Sequence, residues 1–200
     1  FITSHAVENI ELIEDAKVKE FVGEYEPENY LLNEKQPMSV GPYDTPTYYM
    51  EHKRLQAEGM RKAKEVALEV ATEFAKISGR EYGLFEEYKL ADAETAIVII
   101  NSTAGTAKDA VDTLRNEGKK VGLLKIRLFR PFPAEEIAAA LKHVKVLAVM
   151  DKAESFNSQG GPLGAEIKAA LYHEEKSPKI INFIYGLGGR DVKVEDIKAV

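Results

Sequence analysis

Between residues 92 and 191 continuous apolar runs alternate with helical patterns, and this alternation confines the chain to one kind of architecture. Ala96-Ile-Val-Ile-Ile100 is apolar throughout, as a strand covered on both faces must be. Residues 103–117 follow with Ala104, Ala107, Val111 and Leu114 on one helical face and Gly118 as the stop. Residues 121–128 read as a second strand, 134–141 as a short helix and 145–150 as a third strand. A helix over 162–173 points Leu163, Ile167, Ala170 and Leu171 inward, and 179–185 read as a fourth strand. Residues 84–90 alternate loosely, in the manner of an edge strand. Strands separated by helices require parallel crossovers, so the expected fold is a three-layer α/β/α domain with a mainly parallel sheet.

The first third is different. Residues 8–22 form a short helix at best. Residues 23–45 are rich in turn formers (Pro27, Asn29, Asn33, Pro37, Gly41, Pro42, Asp44) and punctuated by Tyr25, Tyr30 and Tyr43. That composition supplies no core and reads as an extended connector lying on another surface. A long helix starts with Thr45 as N-cap and Pro46 in the first turn, and Ser78-Gly79 stops it. Met60, Ala63, Ala67, Val70, Phe74 and Ile77 recur at coiled-coil-like spacing, so one face should be buried. Either this domain or a neighbouring subunit or domain would cover it.

Composition excludes several functions. The net charge is −6 and no Lys/Arg cluster forms a basic stripe, which argues against nucleic acid. No apolar run approaches the roughly 18 residues of a membrane span. The first ten residues are polar and mixed, without a signal-peptide pattern, and Phe1-Ile-Thr-Ser4-His5 reads as the interior of a longer polypeptide. Cysteine is absent, so the chain offers no disulfide, thiol nucleophile, cluster ligand or zinc thiolate; this fits a cytoplasmic protein. His5, His52, His143 and His173 show no metal-ligand spacing.

Four corners fall where apolar runs end, the places where α/β sheets put ligands or partners. Asn101-Ser-Thr-Ala-Gly105-Thr106 enters a helix, and Thr106-x-x-Asp109 has the form of a capping box. Ser102, Thr103, Gly105 and Thr106 are weak candidates for holding an anion there; the alternative is a capped turn. In Arg130-Pro131-Phe132-Pro133, Arg130 either binds an anion, with Arg127, or pairs with an acid. Ser155 to Gly164 enters a helix through Gly-Gly-Pro beside Asp151 and Glu154, which suit acid/base chemistry or capping and salt bridging. Gly186-Leu-Gly188-Gly189-Arg190-Asp191 is a partner contact or a plain turn.

In this order the corners resemble the 2-oxoacid:ferredoxin oxidoreductase family, in particular the α subunits of its pyruvate-oxidising members. Phe1-Ile-Thr-Ser4-His5, Gly41-Pro42, Tyr48-Tyr49-Met50-Glu51, Gly79-Arg80, Asp92-Ala93-Glu94, Asp151-Lys152 and Gly160-Gly161-Pro162-Leu163 carry the resemblance with them. Asn101 and Asn157 stand where the family pattern has glycine; as Asn, both are suited to a left-handed turn. The resemblance implies an enzyme that decarboxylates a 2-oxoacid, pyruvate or 2-oxoisovalerate, on thiamine diphosphate with Mg. Electrons pass through [4Fe-4S] clusters to ferredoxin, and coenzyme A takes the acyl group. It implies that residues 1–22 are the tail of an N-terminal thiamine pyrimidine-type domain, 23–45 the connector, and 46–200 core domain II, akin to the transketolase C-terminal domain. This segment would bind no cofactor or metal and carry no catalytic residue. It would serve as scaffold, with Tyr48, Tyr49, Gly188, Gly189, Arg190 and Asp191 meeting another domain of the same subunit, or β, γ and δ subunits or a second α. The rival reading is a free-standing module that binds a small anion.

Overall fold

The computed structural model describes residues 11–41 and 43–200; Phe1–His5 and Pro42, quoted above, lie outside them. The chain divides into two compact units, whose described parts are residues 11–81 and 82–200.

In the first unit, α1 (Asp15–Val22) packs on α2 (Pro46–Ser78), with Phe21 and Phe74 ring centroids 5.9 Å apart. Both ends of α2 lie where the local signals put them. Thr45 is the N-cap with extended backbone, and Gly79 turns left-handed at φ 67° while its N–H closes on the Ala75 carbonyl. The 3-4 seam is only half covered, however. No residue of α2 is buried, and Met60 and Val70 remain exposed. The spacing identified an apolar face; within the described chain that face lacks its cover. The connector residues Tyr25, Leu32 and Tyr43 are likewise exposed.

The second unit is a five-stranded sheet in the order β1-β3-β2-β4-β5. The strands are β1 (Phe85–Tyr88), β2 (Thr95–Ile100), β3 (Val121–Ile126), β4 (Val146–Asp151) and β5 (Lys179–Ile184). β2 pairs in parallel with β3 and β4, and β4 with β5; β1 alone runs antiparallel, with Phe85 opposite Ile126. Alternate residues of the central strands serve two cores, because side chains in a strand point to opposite faces. Ala96, Val98, Leu147 and Val149 pack with α4 (Ala134–Leu141) and α5 (Pro162–Leu171). Ile97, Ile99, Ala148 and Met150 pack with α3 (Thr103–Asn116) and with Ile197 of a short α6 (Val194–Lys198). The three-layer α/β/α fold is therefore as the alternation required. Both outer strands are open: among the described residues no strand pairs with the far side of β1 or β5.

Ion pairs tie the antiparallel edge to its neighbours. Glu86 accepts from Lys108 and from Arg127 Nη2 (2.8 Å), and the Lys108 hydrogen bond, then the cationic charges, hold its carboxyl below the usual range against the effect of burial. Asp92 receives both Nη atoms of Arg115 at 2.8 Å, whose pairing likewise lowers its pKa.

Candidate functional site at the carboxyl edge

Because β2, β3, β4 and β5 are parallel, the four corners stand along one edge of the sheet. β2 leaves for α3 on one face, and β4 leaves for α5 on the other. The edge between β2 and β4 is thus the switch point at which open α/β sheets place a crevice.

The corner after β4 is closed from within. Asp151 is only 3% exposed. Its Oδ1 accepts the Leu163 N–H (2.9 Å) and its Oδ2 the Gly164 N–H (2.8 Å), so this carboxylate caps α5 across twelve residues of sequence. Asn182, from the middle of β5, completes the knot: its Nδ2 donates to Asp151 Oδ2 (2.8 Å) and to the Val149 carbonyl (2.9 Å), and its Oδ1 accepts the Gly161 N–H (2.7 Å). Gly161 must be glycine here, since a Cβ would fall inside the Asp151 carboxyl. Of the two roles open to Asp151, capping is the one realised; Glu154 is exposed.

Arg130 is also engaged. Its Nη2 donates to Glu166 Oε1 of α5 (2.6 Å), its Nη1 to the Phe129 carbonyl (2.8 Å), and the guanidinium lies 4.3 Å from the Phe129 ring centroid. Arg127 goes to Glu86, so the two arginines pair with acids of this domain. The Arg130-Pro131 peptide is cis.

At the β2 corner Asn101 takes φ 67°, the left-handed turn anticipated for it; Asn157 does not, and Lys89 does at φ 49°. The N-cap of α3 is Ser102, so Thr106 lies one turn inside the helix and the Thr106–Asp109 capping box is not formed. The Ser102 side chain makes no cap, while the Gly105 N–H turns back to the Ser102 carbonyl at 2.9 Å. Tyr185 stands at the start of the corner after β5, and burial pushes its phenol up. A cleft of about 540 Å³ opens beside Tyr185, lined by Gly186, Leu187, Arg190, Asp191 and Asp196 among others. Gly188 and Gly189 are exposed at φ 66° and 81°. Arg190 and Asp191 form no ion pair with each other among the described residues; the Asp191 carboxylate accepts the Val192 N–H. Tyr48 and Tyr49 stand exposed on α2 in the other unit.

The Asp151–Asn182 knot escaped the sequence reading. Its signal was the lone polar residue in Ile180-Ile-Asn-Phe-Ile184, an amide in an apolar strand that must find partners. Among the described residues no three His, Asp or Glu side chains are grouped to hold a metal, and the chain has no cysteine for a cluster.

The switch-point edge of this α/β domain is thus tied together by its own side chains, Asp151 with Asn182 after β4 and Arg130 with Glu166 beside them. The family described as "Pyruvate:ferredoxin oxidoreductase core domain II" matches residues 93–197, and "Pyruvate flavodoxin/ferredoxin oxidoreductase, thiamine diP-bdg" matches residues 1–72. The chain belongs to the pyruvate:ferredoxin oxidoreductase family. It is 46% identical over 198 residues to pyruvate synthase subunit PorA of Thermotoga maritima, covering 99% of this chain and 50% of that protein. It is 40% identical to ketoisovalerate oxidoreductase subunit VorA of Pyrococcus abyssi, over all of this chain and 51% of that protein. The chain thus spans about half the length of the curated relatives it matches. A solved 2-oxoglutarate:ferredoxin oxidoreductase from Magnetococcus marinus shares the fold with TM-score 0.52 and 21% identity, over 79% of this chain and 23% of that one.

Proposed function

We propose that this stretch is the scaffold and subunit-contact part of the α subunit of a cytoplasmic pyruvate synthase, which converts pyruvate and coenzyme A to acetyl-CoA and reduces ferredoxin. One observation carries the scaffold role. The charged groups best placed to meet a ligand at the sheet edge, Asp151 and Arg130, are spent on α5. Thiamine diphosphate with Mg and the [4Fe-4S] clusters then sit outside this segment, on the remainder of the α subunit and on β, γ and δ subunits. The exposed β5 corner, with Gly188, Gly189, Arg190 and Asp191, and the tyrosines Tyr48 and Tyr49 are its contact surfaces. Residues 1–22 then close the N-terminal domain, 23–45 connect, and 46–200 form core domain II with α2 leading into it. Pyruvate is favoured over 2-oxoisovalerate because identity is higher to the pyruvate synthase subunit than to the ketoisovalerate one.

The test is reconstitution of an α subunit of full family length, carrying this stretch, with its partner subunits. Dye reduction dependent on coenzyme A is expected to be faster with pyruvate than with 2-oxoisovalerate. The 200-residue chain alone is expected to reduce no dye. Micromolar binding of thiamine diphosphate to that chain in calorimetry would overturn the scaffold assignment, and a preference for 2-oxoisovalerate would overturn the substrate.

A further inference from the structure

Helix α2 carries an apolar strip that nothing among the described residues covers. Tyr48, Tyr49, Leu55, Met60, Val66 and Val70 are each 44–69% exposed. At 100° per residue they fall on one side together with Ala63 and Ala67, in a strip interrupted in its first half by His52 and Gln56, while Glu51, Arg54, Glu58, Arg61, Glu65 and Glu69 fall on the other, with Met50 and Leu68 also off the strip. From residue 48 to 70 the strip is about 33 Å long at 1.5 Å per residue. Helix α1 meets α2 further on, at Phe74. A helix of this pattern takes its stability from packing its apolar face, so the strip is a contact surface rather than a solvated one.

The ranges of the family matches favour one body as its cover. The thiamine diphosphate-binding part reaches residue 72 and takes in the whole strip, whereas the core domain II match begins only at residue 93. The relatives are about twice the length of this chain. We propose that residues 48–70 dock by this strip onto the body of the thiamine diphosphate-binding domain of the same α subunit. Ala63 and Ala67 let an apolar element approach closely at the centre. Tyr48 and Tyr49 contribute broad apolar area with polar tips at the rim. Helix α2 then leads into core domain II while lying against the cofactor-binding domain. This inference rests on the subunit reading above.

The experiment uses the α subunit of full family length, alone and in the assembled oxidoreductase. Val66→Cys lies in the strip and Glu69→Cys outside it, and peptide-resolved thiol labelling compares them. Val66→Cys is expected to react at least tenfold more slowly than Glu69→Cys, already in the α subunit alone and at every concentration. Equal rates overturn the proposal, as does protection that appears only with the other subunits or only at high concentration, which would mean a partner subunit or a second copy. A thiol-linked photocrosslinker on Lys53→Cys, at the rim of the strip, then identifies the occupant, with isotope-mixed copies separating intra- from intermolecular links. Links to the thiamine diphosphate-binding domain of the same polypeptide are expected; links into residues 82–200 or to another chain overturn the proposal. Pyruvate-dependent dye reduction is measured on the same samples. An active enzyme with the wrong cross-link sinks the docking alone, and an inactive one points at the subunit reading.

Discussion

Gly105 and Gly164 occupy the same place in two helices, the third residue after the N-caps Ser102 and Gly161, yet alanine should act on them with opposite sign. Replacing a helical glycine with alanine gains about 0.5–1 kcal/mol of stability where the new methyl group has room. A Cβ on Gly105 meets nothing within 4 Å, so Gly105→Ala should stabilise by about that amount. A Cβ on Gly164 would stand 2.6 Å from Asn182 Cγ and 2.7 Å from its Nδ2 and Oδ1. The amide cannot swing aside, because Val149, Asp151 and Gly161 hold both of its ends. Overpacking of this kind costs about 1–3 kcal/mol, and each hydrogen bond that gives way adds about 0.5–1.5 kcal/mol. After the propensity gain, Gly164→Ala should destabilise by about 1–3 kcal/mol. Urea melts followed by far-UV circular dichroism read both variants on one scale. A Gly164→Ala midpoint at or above the parent's would show that the knot yields, and the account of Asn182 would fail.

Two further outcomes follow from the same contacts. Asp151→Ala strands the Leu163 and Gly164 N–H groups and the Asn182 amide, and should cost about 2–4 kcal/mol in the same melts; a loss below about 1 kcal/mol would mean that the cap is dispensable. Glu86 has a lowered pKa in the folded state, so its contribution is present above the unfolded carboxylate value, about 4.3, and is lost as pH falls through the folded one. Glu86→Gln should therefore be less stable than the parent at pH 7, by at most about 1 kcal/mol for so accessible a pair, with the gap closing at strongly acid pH; a gap constant with pH would remove the ionic explanation.

The elements that could be read from sequence were those with local causes. Thr45-Pro46 and Ser78-Gly79 bracket α2 because caps act within a turn, and the apolar runs of β2 and β4 announce cover on both faces. Gly118, at φ 83°, ends α3 for the same local reason. Strand order, and the antiparallel sense of β1, depend on long-range packing that no window of sequence encodes. The Asp151 cap reaches across 12 residues and the Asn182 link to Gly161 across 21, so neither has a motif spacing. Helix α6 is five residues long, too short for a period, although the Lys193 N–H donating to Asp196 and the buried Ile197 belong to its pattern. The seam of α2 disclosed an apolar face, but spacing along one helix carries no information on what packs against it.

The two open margins of the sheet are not alike. Along β1, Glu86 and Glu87 put charge on the outermost strand, and Lys89 follows directly, so a strand approaching from that side meets gatekeepers. Along β5, Ile180, Ile181, Phe183 and Ile184 follow a single lysine, and Ile181 is 38% exposed on a strand whose outer side pairs with no strand among the described residues. That margin is a template. In dilute isolation the domain should recruit strands there before anywhere else, so the first oligomers of a partly unfolded sample should grow from one side of the sheet only.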